Sequence, residues 1–233
     1  MSNTQHPPQE LTISQKAEKL LDEIPPYVTI VAAAKQRTAA EVQAAIQGGI
    51  RHIGHNYVQE AKQMLASLPS QQRELISYHL IGHLQRNKVG QAVQLFDVIQ
   101  TIDSLELAQE LEQRCQPLKK TLPVLIEVNS GREPNKNGIF PEHTLQLAEA
   151  IQHLPHLRLE GLMTMGPWLE EAEKLRPFFR ATRQLYDELQ KTPAFQSTLR
   201  YLSMGMSDSY LIAIEEGATM VRIGTLLFGE RPK

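Results

Sequence analysis

Short apolar runs of β-like composition alternate along this chain with longer stretches whose apolar residues recur at helical spacing. The β-like runs are Val28–Ala33, Arg51–Gly54, Tyr78–Gly82, Val98–Ile102, Pro123–Val128, Leu159–Met163, Leu199–Ser203 and Thr219–Ile223. Helical periodicity fills Thr38–Gln47, Tyr57–Leu68, Leu105–Gln116, Pro141–His153, Leu169–Leu189 and Ser207–Glu216 between them. Such alternation produces parallel strands joined by right-handed crossovers, and eight strands are the number at which the sheet closes on itself. The expected fold is therefore α/β, a single (β/α)8 TIM barrel. An open, doubly wound sheet has the same periodicity and is the alternative. A further amphipathic stretch, Gln9–Asp22, precedes the first run while little chain follows the last. An N-terminal helix is thus expected over the seam that a final helix normally covers.

Composition narrows the picture. With 233 residues, 41% of them hydrophobic and 21% charged, the chain has the balance of a water-soluble protein with one large core. No linker, low-complexity tract or charge run interrupts it after residue 10, so the expected division is a flexible N-terminus over 1–10 and one barrel domain over 11–233. A net charge of −2, from 24 basic and 26 acidic residues, sets up no global field toward nucleic acid or an anionic membrane. The lone Cys115 cannot form an intramolecular disulfide, which fits a reducing cytoplasm. Met1–Glu10 lacks the apolar segment of a signal peptide, and no apolar run approaches the roughly 20 residues that span a bilayer.

Barrels carry their chemistry at the C-terminal ends of the strands. Here those ends read Ala34–Lys35, His55–Asn56, His83, Asn129–Ser130, Thr164, Ser203–Ser207 and Gly224–Thr225. Lys35 directly follows the apolar Val31–Ala34. Position alone favours a loop lysine with its head in water. At a desolvated barrel mouth the neutral amine is favoured instead, a nucleophile for aldehydes, and small Ala32–Ala34 leave room for a ring beside it.

Ser203-Met-Gly-Met-Ser207 and Gly224–Thr225 close the last two strands, the usual place of a barrel phosphate site. Ser207 stands where a helix N-cap belongs, so hydroxyls and free N–H groups would form an anion cradle; a plain cap and a glycine turn explain the same residues equally well. Strand alternation sets Arg222 opposite to Val221 and Ile223, so if those two face the helices Arg222 points into the barrel. A buried guanidinium needs a partner, either a carboxylate or a ligand nitrogen or anion. His52/His55 and His79/His83 resemble metal spacings, but i and i+3 face opposite sides of a strand, His79 and His83 share a face only if the strand persists, and no metal motif accompanies either pair, so no metal site is expected.

At these residues the chain resembles the YggS/PROSC family of pyridoxal 5′-phosphate (PLP) homeostasis proteins. The resemblance covers nearly the whole chain after residue 10, through Asn56-Tyr-Val-Gln-Glu60, His79-Leu-Ile-Gly-His-Leu-Gln-Arg-Asn-Lys88, Gly161-Leu-Met-Thr-Met-Gly166, Leu202-Ser-Met-Gly-Met-Ser-Asp208 and Val221-Arg-Ile-Gly-Thr225. It implies a fold-type III barrel like the N-terminal domain of alanine racemases, with PLP as a Schiff base on Lys35 and Asn56 beside the cofactor. It further implies Ser207, Gly224 and Thr225 on the phosphate and Arg222 facing the pyridine nitrogen. Two positions depart from the pattern: His55 replaces a common glutamate, and Ala34 replaces the usual serine before the lysine.

Two functions fit a PLP-loaded barrel. A PLP enzyme needs an acid–base pair over the substrate α-carbon and a carboxylate site. Arginine at the ring nitrogen would not stabilise its protonated form; racemases tolerate that, but they add groups from a second domain that this chain is too short to include. The resemblance likewise implies homeostasis without an established catalytic activity. The expectation is therefore a non-enzymatic PLP-binding protein of vitamin B6 homeostasis, with a racemase-like enzyme as alternative and a phosphate-substrate isomerase or lyase last. Its expected partners are PLP-dependent apo-enzymes or a regulatory protein, with no nucleic acid and no membrane, and the chain is expected to be a monomer.

Overall fold

The computed structural model describes residues 10–230. The expected flexible N-terminus falls almost wholly outside them. Strands β1 (Thr29–Ala33), β2 (His52–His55), β3 (Ser77–Leu80), β4 (Val98–Ile102), β5 (Leu122–Glu127), β6 (Leu157–Met163), β7 (Tyr201–Ser203) and β8 (Met220–Ile223) fall on the eight apolar runs. They form one closed parallel barrel in sequence order, sealed where β1 pairs with β8 and Val31 lies opposite Arg222. Closure decides against the open sheet.

Helices α1 (Ile13–Glu23), α2 (Ala39–Gln47), α3 (Val58–Ser67), α4 (Ser70–Glu74), α5 (Val89–Leu95), α6 (Leu105–Cys115), α7 (Thr144–Gln152), α8 (Arg176–Lys191), α9 (Tyr210–Glu215) and α10 (Thr225–Phe228) accompany the strands. A Thr12–Gln15 capping box starts α1. This helix packs against both α2 and the short α10, so it takes the place of a full eighth helix at the seam. Among the described residues no helix is long and apolar enough to cross a membrane.

Two helix starts differ from expectation. Periodicity extends to Leu169, yet α8 begins at Arg176, with Pro177 in its first turn. Proline is tolerated there, whereas deeper inside it would remove a hydrogen bond and clash with the preceding turn. Likewise α9 starts at Tyr210 rather than after Ser207, because the chain turns through Met206–Ser209, with Ser209 N–H and Tyr210 N–H both donating to Met206 O. Ser207 is therefore not the cap of α9.

The main core lies between sheet and helices, where Ile30, Ile53, Leu80, Ile99 and Ile223 pack with the inner helix faces. Inside the barrel a separate small apolar group, Val31, Ile81 and Met220, fills only part of the bore. Polar side chains fill much of the rest.

Candidate functional site

A cleft of about 800 Å³ opens at the C-terminal mouth of the barrel. Lys35, Asn56, Ser207, Arg222, Gly224 and Thr225, the six residues singled out from sequence, all line it. Lys16 from α1 lines it too, which no local pattern announces.

Half-buried Lys35 leaves β1 with its Nζ 5.4 Å from the centroid of the Tyr57 ring. The next residue, Gln36, has φ 58, a left-handed conformation costly for a side-chain-bearing residue. Its N–H is held by the Glu60 carboxylate on α3. Glu60, the last residue of the Asn56–Glu60 block, thus fixes the turn that presents Lys35. Asn56 is fixed from behind by Gly82, where a Cβ would come within 2.5 Å of Asn56 O. Thr101 Oγ1 donates to Gly82 O at 2.9 Å and anchors that contact.

Across the mouth, Gly205 at φ 90 turns the chain so tightly that a Cβ would meet Ala213 Cβ at 2.5 Å. The turn delivers Ser207 to the end of β8, where its Oγ accepts from Gly224 N–H at 3.0 Å and Leu226 N–H at 3.3 Å. Ser207 therefore ties the two loops of the anticipated cradle together. Among the described residues no close contact requires glycine at 224: a Cβ there would make only ordinary contacts with Ala33, at 3.6 Å and beyond.

Arg222 does point into the barrel and is almost fully buried. Among the described residues, the carboxylate partner that burial would ordinarily demand is missing from its hydrogen bonds. Its guanidinium donates to Ser203 O at 3.0 Å, Ser203 Oγ at 2.7 Å, Thr164 O at 2.8 Å and Met165 Sδ at 3.3 Å, all neutral. Burial pulls its pKa down to about 10, partly offset by the charge of Glu127. Glu127 is itself pushed up to about 7, first by burial and then by Asp103, with Arg222 opposing. Glu127 lines a smaller cavity of about 310 Å³, with Asn129, Lys136 and Trp168, which shares Met165, Met206 and Asp208 with the main cleft. A glutamate within an apolar run was the only sequence signal for it.

Both departures from the family pattern lie away from the cleft. Ala34 is packed in the core outside the barrel, and buried His55 stacks on Tyr78 with ring centroids 5.7 Å apart. Among the described residues neither His55 ring nitrogen has a hydrogen-bond partner, and burial pulls its pKa down to about 4. His52 faces the opposite side of β2, toward His79, while His83 lies beyond β3 beside Asp103 at 3.5 Å. Among the described residues no three His, Cys, Asp or Glu side chains gather as a metal set.

Residues 13–232 match the family described as alanine racemase, N-terminal domain. The pyridoxal phosphate homeostasis protein of Aquifex aeolicus is 44% identical over 183 residues, 78% of each chain. That of Pasteurella multocida is 36% identical over 229 residues, 98% of this chain and 93% of the other. Among solved structures, PipY of Synechococcus elongatus with PLP bound superposes with a TM-score of 0.83 at 34% identity, covering 93% of this chain and all of PipY.

Proposed function

The chain belongs to the pyridoxal phosphate homeostasis proteins, built on the alanine racemase N-terminal domain, and on that basis we propose that it binds PLP in the cleft. Lys35 holds it as a Schiff base, Asn56 lies beside the ring, Ser207, Gly224 and Thr225 take the phosphate, and Arg222 faces the pyridine nitrogen. One observation carries this reading. A half-buried amine, a buried guanidinium with only neutral partners, and a corner of hydroxyls and N–H groups converge on one cleft. That donor set suits a phosphorylated aldehyde with a ring acceptor, and bare Gly224 leaves room for such a ligand to approach the backbone.

Bound PLP supplies an aldehyde for the amine and, given a protonated ring nitrogen, an electron sink. The proposed role is non-catalytic holding or delivery of PLP within vitamin B6 homeostasis, in keeping with the relatives named pyridoxal phosphate homeostasis proteins and with a guanidinium that weakens, though in racemases does not abolish, the electron sink. Further parts of the proposal are a single domain from residue 11, a cytoplasmic setting consistent with one buried thiol at Cys115, and PLP-dependent apo-enzymes or a regulatory protein as partners.

Absorbance spectra of the PLP-loaded protein, before and after borohydride, test the proposal. The yellow band of the wild type should be lost in Lys35→Ala, and peptide mass should map the reduced adduct to Lys35. An adduct that persists in Lys35→Ala, on Lys88 or Lys136 for instance, overturns the assignment.

A further inference from the structure

A line of polar side chains crosses the barrel bore beneath Arg222. Ser203 Oγ donates to Gln100 Oε1 at 2.7 Å, Gln100 Nε2 lies 2.9 Å from His79 Nδ1, and His79 Nε2 lies 3.0 Å from His52 Nδ1. Arg222, Ser203, Gln100 and His79 are buried, and only His52 is part exposed. TIM barrels ordinarily fill this layer with branched apolar side chains. Replacing buried polar groups by well-packed apolar ones is often neutral or stabilising, so fold stability alone does not explain the chain.

The charge at one end fixes the direction of every bond. Arginine only donates, so Ser203 Oγ accepts from it at 2.7 Å and its own proton turns to Gln100 Oε1. The amide oxygen of Gln100 then faces Ser203 and its NH2 faces both His79 Nδ1 and Met220 Sδ, the latter at 3.2 Å. His79, buried and neutral, accepts at Nδ1 and must carry its proton on Nε2, which donates to His52 Nδ1. Four links run head to tail from β8 and β7 across to β4, β3 and β2, each dipole oriented by the guanidinium.

We propose that Ser203, Gln100 and His79 are positioning residues that hold the Arg222 guanidinium in one orientation at the floor of the cleft, with His52 ending the chain. The inference rests on the reading of the cleft as a PLP site. Breaking the chain at Gln100 leaves the Ser203 proton and the His79 lone pair without their partner, and Ser203 then loses its reason to present a lone pair to Arg222. The backbone acceptors at Ser203 and Thr164 remain, so the guanidinium loosens rather than leaves.

A double-mutant cycle in PLP affinity, read by absorbance titration, tests this with Gln100→Leu, Arg222→Leu and the double variant. Gln100→Leu alone should weaken PLP binding by roughly three- to tenfold, the scale of one hydrogen bond. In the Arg222→Leu background the same change should have no effect on affinity, whatever it does to thermal stability. Equal weakening in both backgrounds overturns the positioning role. A second measurement needs neither variant nor ligand: nitrogen-15 spectra of the PLP-free wild type should show His79 neutral, protonated at Nε2 and bare at Nδ1. A proton on Nδ1 overturns the inferred direction. Failure of the wild type to bind PLP would instead refute the reading of the cleft, while leaving the spectra able to confirm or refute the chain's direction.

Discussion

Replacing His55 by phenylalanine isolates the cost of keeping an imidazole neutral in the core. His55 is fully buried, stacks on Tyr78 at an interplanar angle of 16°, and has no partner for either nitrogen. Its pKa falls from 6.5 to about 4 on folding because burial penalises the cation. The unfolded chain therefore binds a proton near 6.5 that the native state refuses until about 4, so stability is full above 6.5 and is lost as pH falls through that window. Phenylalanine keeps a ring against Tyr78 and cannot titrate. Its packing difference is the same at every pH and cancels when two pH values are compared. Between about pH 7.5 and about pH 5, the stability of His55→Phe relative to wild type should rise by about 2 kcal/mol. Urea denaturation of both proteins at both pH values reads this directly. His52, His79 and Glu127 titrate equally in the two proteins and drop out of the difference. A gap that stays constant within about 0.5 kcal/mol, or that narrows on acidification, refutes the reasoning.

The cradle should be sensitive to its hydroxyls: Ser207→Ala combined with Thr225→Val should cost on the order of 1.5–3 kcal/mol in PLP binding for each charge-assisted bond lost, measured by titration. Unchanged affinity would place the phosphate elsewhere. Non-catalytic holding predicts that PLP-loaded protein in heavy water gives no α-deuteration of alanine or serine above that given by free PLP. Robust, Lys35-dependent exchange would favour a racemase-like enzyme instead.

Much of this architecture was legible because closely spaced residues encode it. Eight apolar runs separated by amphipathic stretches point to a barrel or an open sheet, and Arg222 between Val221 and Ile223 turns inward by parity once those two are taken to face the helices. The same parity applied to buried Ile53 would have turned His52 inward and left His55 with the alternate side of the strand for its neighbours. Helices α4, α5 and α10 escaped notice because segments of four to seven residues are too short to display a 3.6-residue period. Ser207 misled for another reason. A serine before a helical stretch resembles an N-cap, but its partners, the N–H groups of Gly224 and Leu226, lie beyond the next strand. Gln100, His79 and Ser203 were hardest to connect, each a single polar residue ending or interrupting an apolar run, and their meeting depends on barrel closure.

The character of Arg222 links that closure to what the cleft can do. An arginine paired with a carboxylate would present a nearly neutral dipole to a ligand, whereas one tied to Ser203, Thr164 and Met165 keeps its full charge for whatever enters. Its charge faces a cleft that also holds Lys35 and Lys16, three cationic side chains against the carboxylates of Asp208 and Glu230. Such a floor attracts an anionic ligand with a ring acceptor while giving that ring no acidic partner through which to hold an added proton. On the proposed reading of the cleft, capture of the ligand and a weakened electron sink would follow from the same side chain. Neutral anchoring of Arg222 is therefore the physical feature that ties the barrel's polar interior to the cleft at its mouth.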